Sequence, residues 1–294
     1  MKKHVAYIAV FCFFIINSTA HAKPWTPGLS LVGLKNENWQ LFVVAKGQSN
    51  LRDISTISEP RTPAFHLEAG RVAYIAADGS LHEHGIDKIN DDVLLKAGRK
   101  HAYTQPAYDP AGKNLFVVEL KEGASVDTDI LMLNRTTQNS KPVIIQRSAQ
   151  FEPFMPTKNE LYYSNVLCAV GCGKIIQEIW HMNVVSGEAQ QLTMLNSIAR
   201  QPFISLGSDW LYFSSNKAGH YHIWRMNLTS NKYEQLTQGY VTDISPVLDK
   251  NNNLYFIRRS PQSVQLMRMN TKGEVKPMIL PEGVTDIRDL EMSD

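Results

Sequence analysis

One spacing recurs along this chain: an aliphatic residue in one strand-like segment is followed thirteen residues later by an aliphatic residue in a second segment. In the two clearest copies, at Ile179 and Ile223, the first segment reads Ile-Trp-x-Met-Asn and the second contains Gln-Leu-Thr. The six pairs are Leu41/Ile54, Leu81/Leu94, Ile130/Val143, Ile179/Leu192, Ile223/Leu236 and Leu266/Ile279. Turn formers such as Ser186-Gly187 and Ser230-Asn231 separate the segments. Each pair therefore predicts a β-hairpin.

A second pattern precedes five of the hairpins: a proline, then a short apolar and aromatic segment eight or nine residues later. The prolines are Pro63, Pro106, Pro153, Pro202 and Pro246, at steps of 43, 47, 49 and 44 residues. The pattern adds two strands to each hairpin, and steps of this length are typical of a four-stranded propeller blade.

The two ends of the repeat array complement each other. The hairpin at Leu41 and Ile54 has one strand-like predecessor, residues 29–34, so its blade lacks a strand, whereas residues 283–288 resemble 239–245, which begin the last full blade. We therefore predict an all-β, six-bladed β-propeller over residues 23–294, closed when the C-terminal strand joins the N-terminal blade. A β-sandwich would not require the constant spacing, and an open solenoid would require polar caps.

The N-terminus has the pattern of a secretory signal peptide. Lys2 and Lys3 precede an apolar stretch, residues 5–16, and the small-x-small sequence Ala20-His21-Ala22 follows. We predict that residues 1–22 are removed before Lys23 and that the mature protein is periplasmic without stable membrane insertion. Cys12 is preceded by a bulky phenylalanine, which disfavours a lipoprotein site.

Charge excludes one class of partner. Without the leader, the 30 basic residues fall to 28, equal to the 28 acidic residues. No basic footprint indicates nucleic acid or anionic lipid, and we expect a monomer.

The repeats resemble those of the TolB-like family of periplasmic propellers. The best matches are residues 202–237 and 153–193, and Asp109-Pro110-Ala111-Gly112-Lys113 approximates the Ser-Pro-Asp-Gly turn of that family. The resemblance implies a propeller and a periplasmic location. TolB itself has an α/β domain ahead of its propeller, whereas here the blades begin almost at Lys23, so we expect the propeller alone.

Candidate binding residues are expected just before the innermost strands, which converge on the axis of a propeller. They form a rim of mixed charge: Arg61, Gln105, Glu152, Arg200, Gln201, Asp243, Asp286 and Arg288. Asp243 and Asp286 occupy equivalent positions in neighbouring blades, where together they would bind a cation or a basic peptide group. The alternative is that they form ion pairs with Arg61, Arg200 or Arg288.

Two kinds of potential metal or redox residue have simpler interpretations. Cys168 and Cys172 are the only cysteines after the leader, and in an oxidising compartment they predict a small structural disulfide loop. His82-Glu83-His84 and His220-Tyr221-His222 lie at the third strand of their blades, away from the axis, so we interpret them as packing or solvated residues. Trp180, Trp224, Phe42, Tyr162, Tyr212 and Tyr255 are likewise predicted to pack within the blades.

No nucleophile elbow, phosphate-binding glycine loop or His-Glu zinc motif is present. We therefore predict a non-catalytic binding or scaffold propeller that holds an envelope protein or peptide at its funnel, without a cofactor. A structural or assembly role in a secretion apparatus is not separable from this. The alternative is a metal-assisted carbohydrate lyase or hydrolase, with a divalent cation in the funnel near Gln105, Gln201 and His101.

Overall fold

A computed structural model describes residues 25–54, 56, 59–88, 91–122, 127–169 and 171–293; the predicted signal peptide lies outside these residues. The described chain forms six antiparallel sheets of four strands each. The strands are β1 Leu29–Lys35, β2 Asn38–Val43, β3 Arg52–Ile54, β4 Arg61–His66, β5 Arg71–Ile75, β6 Leu81–Gly85, β7 Asp91–Leu95, β8 His101–Tyr108, β9 Asn114–Lys121, β10 Thr128–Asn134, β11 Ser140–Ile144, β12 Gln150–Phe154, β13 Glu160–Cys168, β14 Ile176–Asn183, β15 Ala189–Gln191, β16 Ala199–Ile204, β17 Trp210–Ala218, β18 His220–Asn227, β19 Tyr233–Gln235, β20 Thr242–Leu248, β21 Leu254–Arg259, β22 Val264–Met269, β23 Val275–Pro277 and β24 Val284–Met292.

The ring closes as predicted, because the first sheet has the strand order β24-β1-β2-β3. We call this sheet blade 1; blades 2 to 6 are β4–β7, β8–β11, β12–β15, β16–β19 and β20–β23. In blade 1 Leu31 lies opposite Leu290 and Gly33 opposite Ile287. Ile287 is fully buried and Met292 is 3% exposed. Each buried side chain of this size contributes about 1.5–3 kcal/mol, so the C-terminal strand stabilises the ring through packing as well as hydrogen bonds.

The apolar core lies between successive blades. One cluster joins blade 6 to blade 1 and contains Phe256, Leu266, Leu31, Phe42 and Ile287. The aromatic residues predicted to pack within the blades do so, as members of these clusters or as half-buried neighbours of them.

The hairpin register follows the thirteen-residue spacing in three blades, where Leu41 lies opposite Ile54 and the amides of Leu192 and Leu236 donate to Ile179 and Ile223. In the other three the partner lies one position away from that spacing. The partners there are Leu81/Leu95, Ile130/Ile144 and Leu266/Met278.

These register shifts have a local cause. Bulges next to Leu81 and Ile130 insert one residue. The last hairpin has a turn that is one residue shorter. The amide of Asn270 donates to the carbonyl of Glu274, four residues on, whereas in blade 4 the amide of Asn183 donates to the carbonyl of Glu188, five residues on. One residue of slip moves a side chain to the other face, and Ile279 is accordingly 67% exposed.

The predicted turn at Asp109 is held by its own side chain. Asp109 Oδ1 accepts the amides of Lys113 and Asn114 at 2.8 and 3.1 Å, and its Oδ2 accepts Asn114 Nδ2 at 2.8 Å. Gly112 has φ +62°, a conformation that favours glycine, and a Cβ there would lie 2.7 Å from His66 Nε2, so a larger residue would displace the His66 ring. Asp249 plays the same role in blade 6, where its Oδ1 accepts the amide of Asn253 at 2.9 Å.

Across the described ranges, no helix has the length and apolar character that a membrane crossing requires.

Candidate binding channel

The same irregularity interrupts the innermost strand of blades 2 to 6. In each strand the pairing register shifts around one non-glycine residue of positive φ that directly precedes a proline. We call these the bulge residues: Thr62 (φ 43°), Gln105 (51°), Glu152 (58°), Gln201 (58°) and Ser245 (58°). Proline lacks an amide donor and is tolerated in sheets at bulges. The five prolines found in the sequence therefore mark these bulges. In β24 the corresponding position is Arg288, which Asp289 follows in place of proline.

A belt of hydrogen bonds connects the bulge residues around the channel. The amide of Gln105 donates to Thr62 Oγ1 at 3.1 Å, and the amide of Glu152 donates to Gln105 Oε1 at 3.0 Å. In the next two blades the amide of Gln201 donates to Glu152 Oε2 at 2.7 Å, and the amide of Ser245 donates to Gln201 Oε1 at 2.9 Å.

The belt begins on the closing strand, since the amide of Thr62 donates to Asp289 Oδ2 at 3.1 Å. A non-glycine residue with positive φ is strained by about 1–3 kcal/mol. The belt offsets this strain and ties each blade to the next.

The belt surrounds the axial channel. On one side lies a cavity of about 270 Å³ lined by all five bulge residues, their prolines, Arg200, Arg288 and Asp289. A second cavity, of about 230 Å³, shares Phe154, Phe203, Glu291 and Met292 with the first and continues towards the opposite end of the strands. Phe154 and Phe203 lie with ring centroids 4.9 Å apart. The channel thus has a polar belt near one mouth and an aromatic wall beyond it.

Ion pairs line the first cavity. Arg200 contacts Glu152 Oε1 at 2.9 Å, which raises the pKa of the arginine. Arg288 donates to Glu59 Oε1 at 2.6 Å and to the carbonyl of Pro60, and its Nε lies 3.6 Å from Asp289 Oδ2. Burial raises the pKa of Asp289, although the Thr62 amide and nearby arginines act in the opposite direction. The wall of the first cavity therefore presents both positive and negative side chains to a ligand.

Five of the eight residues predicted for the rim line this cavity: Gln105, Glu152, Arg200, Gln201 and Arg288. Arg61, Asp243 and Asp286 are not among its lining residues. Asp243 is fully buried, and its two carboxylate oxygens accept hydrogen bonds from Arg258 Nε at 2.7 Å and Nη2 at 2.8 Å. Asp286 lies 3.5 Å from Arg259 Nη1.

The ion pairs expected for the two aspartates therefore exist, but their partners are arginines of β21 and not Arg61, Arg200 or Arg288. Arg61 lies 3.8 Å from Glu59. Thr62 and Ser245, which directly precede prolines, also line the cavity, as does Asp289, whose position in the closing strand no proline marks.

The residues considered for a metal site have other partners. The side-chain oxygens of Gln105 and Gln201 accept main-chain amides of the belt. The side chain of His101 is half exposed and lies 3.9 Å from Glu119. Within the described part of the chain, no group of three histidine, cysteine, aspartate or glutamate side chains is arranged to hold a metal ion.

The other sequence features have structural roles. Cys168 and Cys172 form a disulfide between β13 and β14, as predicted. His82 and His84 are buried, and His84 Nδ1 lies 2.7 Å from Asp91 Oδ1. His222 is buried as well, which lowers its pKa. The packing interpretation of these three histidines is therefore confirmed.

One face of the ring is unusually apolar. Because strands alternate in direction, the start of each first strand, the β-turns between second and third strands, and the connections between blades share a face, which we call the channel face. Six of the nine exposed large apolar residues of the described chain lie there: Ile145, Leu167, Ile175, Met194, Tyr240 and Ile279. The polar belt opens on this same face.

Comparisons with known proteins concern the fold. No protein-family model matches the sequence, and no curated protein matches it. Among solved structures, TolB from Acinetobacter baumannii is 16% identical with a TM-score of 0.72, over 90% of this chain and 66% of that chain. A putative TolB from Agrobacterium tumefaciens is 14% identical with a TM-score of 0.67, over 90% of this chain and 98% of that one.

An oligogalacturonate lyase in complex with manganese is also similar, with 10% identity and a TM-score of 0.63 over 89% of this chain and 79% of that one. This chain spans about two thirds of the length of TolB from Acinetobacter baumannii. At these identities the likeness is one of fold, and the fold that this chain shares with the TolB structures is the six-bladed propeller.

Proposed function

We propose that this chain is a non-catalytic periplasmic binding propeller that holds a protein or peptide partner at its channel face. The observation that carries the proposal is the concentration of exposed apolar side chains on the face where the channel opens. Exposed apolar side chains that gather on one face beside polar groups favour an interaction site there. Tyr240, which is 93% exposed, is the kind of aromatic residue that is enriched in protein interfaces.

The channel mouth adds polar recognition to this surface. Arg200 and Arg288 supply donors and Glu152 and Asp289 supply carboxylates within one cavity. An extended peptide segment presents main-chain amides, carbonyls and charged side chains, which are the groups that such a wall can pair. The likeness to TolB propellers is compatible with a binding role.

Two features of the chain support a periplasmic location. Residues 1–22 have the pattern of a signal peptide, and the Cys168–Cys172 disulfide is a bond that persists in oxidising compartments.

The test compares a variant with substitutions on the channel face and a variant with substitutions elsewhere on the surface. The double variant Met194→Asp/Tyr240→Asp places two charges on the channel face. Its matched control, Val93→Asp/Leu206→Asp, changes exposed apolar residues on an outer strand and at the other face. Each protein is used to recover partners from a periplasmic extract after chemical crosslinking. We expect the first variant to lose partners that wild type and control retain; equal recovery by both variants would reject the channel face.

Substitution of the rim aspartates is less informative. Asp243 is fully buried against Arg258, so Asp243→Ala would leave a charge unpaired and reduce the stability of the fold.

The alternative function is a metal-assisted carbohydrate lyase or hydrolase. It is supported by the fold shared with a manganese-containing oligogalacturonate lyase. The partners of Gln105, Gln201 and His101 favour the binding role instead. Incubation with oligogalacturonate and manganese tests the alternative: turnover that His101→Ala abolishes would establish it and would overturn the proposal of a non-catalytic protein.

A further inference from the structure

We propose that a groove between blades 3 and 4 binds a peptide segment that carries acidic and aliphatic side chains. The groove is separate from the axial channel and has a volume of about 940 Å³. It lies mainly between turns of the face opposite the channel face. We call it the blade 3–4 groove; its lining residues used below are Lys113, Lys141, Lys158, Asp109 and the apolar residues of its floor.

The charges of the groove are one-sided. Its titratable lining groups are three exposed lysines, Lys113, Lys141 and Lys158, together with Asp109. Asp109 is 7% exposed, and its carboxylate is occupied by the amides of Lys113 and Asn114 and by the Asn114 side chain. Within the described residues, none of the three lysines has an ion-pair partner, although most of the charged side chains around the channel do. The groove therefore has an unbalanced positive charge in a mature chain whose formal charge is balanced.

The floor of the groove is apolar and adaptable. It consists of Phe116, Met132, Val143, Met182 and Val184, which belong to the core between these blades or pack against it. Val185, 76% exposed, forms part of the wall. Methionine side chains are flexible and accommodate ligands of varied shape. Aliphatic groups of a ligand can thus lie on the floor while its anionic groups reach the lysines.

The distribution of the lysines favours a peptide over a single anionic headgroup. Lys113 precedes β9 and Lys141 is in β11, both in blade 3, whereas Lys158 is in the β-turn between β12 and β13 of blade 4. Cations on both walls suit an extended ligand with several carboxylates. Pro142 in β11 lacks an amide donor, so recognition would come from side chains rather than from an added β-strand.

The test uses defined probes and the full mature chain. A fluorescently labelled octapeptide of alternating glutamate and leucine is titrated with the protein, and fluorescence anisotropy reports binding. Matched octapeptides of alternating lysine and leucine, or glutamate and serine, separate the contributions of charge and of the apolar floor. We expect binding of the glutamate-leucine peptide alone, weakened by about 0.5 M salt because the lysines are exposed.

The decisive comparison is between two charge-matched variants. The first variant reverses the charge of the groove: Lys113→Glu/Lys141→Glu/Lys158→Glu. The second reverses the charge of three exposed lysines in blades 5 and 6: Lys232→Glu/Lys250→Glu/Lys272→Glu. We expect affinity to fall at least about tenfold in the first variant, the loss of a few charge-assisted contacts, and to stay near wild type in the second. No binding to wild type, or an equal fall in both variants, would overturn the proposal.

Two further outcomes distinguish a peptide from another ligand and the groove from the channel face. If dodecanoate binds and displaces the peptide at lower concentration, the groove is a site for fatty-acid anions and the peptide proposal is wrong. Binding that persists in Met194→Asp/Tyr240→Asp supports the groove and separates it from the channel face, so either proposal can fail without the other.

Discussion

The main-chain amide of Gln201 donates a 2.7 Å hydrogen bond to Oε2 of Glu152 in the preceding blade, and Ser164 Oγ donates to the same oxygen at 2.7 Å. The other oxygen of Glu152 pairs with Arg200. One carboxylate thus holds two strained bulges and an arginine of the channel wall.

Glu152→Ala should lower the free energy of unfolding by about 2 kcal/mol, because it removes the carboxylate that accepts the Gln201 amide and pairs with the half-buried Arg200. Urea denaturation measures the change. Glu68→Ala is the control, because Glu68 forms an exposed ion pair with Lys46 that is worth about 1 kcal/mol or less. Equal losses in the two variants would contradict a stabilising role for the belt.

Glu83→Ala should be comparably destabilising at the junction of blades 2 and 3. Glu83 is 5% exposed, and its Oε1 accepts Arg135 Nε and the Tyr108 hydroxyl, each at 2.5 Å. Breaking a buried pair by removing one partner costs about 3–5 kcal/mol, since the other charge stays buried. A double-mutant cycle with Arg135→Met measures the coupling, and additivity of the two single changes would argue against it.

Stability should fall at mildly acidic pH because of His222. Burial lowers the pKa of its imidazole, with His220 and Arg258 acting in the same direction and Asp243 opposing them. The unfolded chain then binds the proton more readily, so the stability from neutral His222 is present above about pH 6.5 and is lost as the pH falls through the lower pKa of the folded state. His222→Gln should make the urea midpoint depend less on pH between pH 7 and 5, and a midpoint that falls as steeply in the variant as in wild type would contradict the role of His222.

Ring closure can be tested on one strand. Ile287 is fully buried in β24, and Thr285 on the same strand is exposed. Ile287→Asp should cost at least about 3 kcal/mol, through the lost apolar contacts and the buried charge, whereas Thr285→Asp should change stability by about 0.5 kcal/mol or less. Similar urea midpoints for the two variants would show that β24 does not stabilise the ring.

Export should remove residues 1–22. Sequencing the N-terminus of protein from the periplasmic fraction should begin at Lys23, and Ala22→Phe should retain the leader because the cleavage site requires small residues. A mature N-terminus elsewhere would correct the predicted boundary.

The spacing of aliphatic residues, the five prolines and the likeness of residues 283–288 to 239–245 were sufficient to predict six blades and the closing strand, because a blade is a local unit repeated along the chain. The cysteine pair could be predicted for the same reason, since its partners are four residues apart. The spacing does not determine the register of every hairpin, because a bulge or a shorter turn shifts the pairing by one residue in three blades.

The roles of the polar residues depend on contacts between blades, which spacing along the chain does not specify. Gln105 and Gln201 were expected to face a ligand, yet their oxygens accept amides from the next blade; Asp243 was expected at the rim, yet it is buried against Arg258. The blade 3–4 groove likewise exists only where two blades meet. Repetition in the sequence determines the blades, and the way their edges converge on one axis determines which polar groups pair with each other and which are left for a partner.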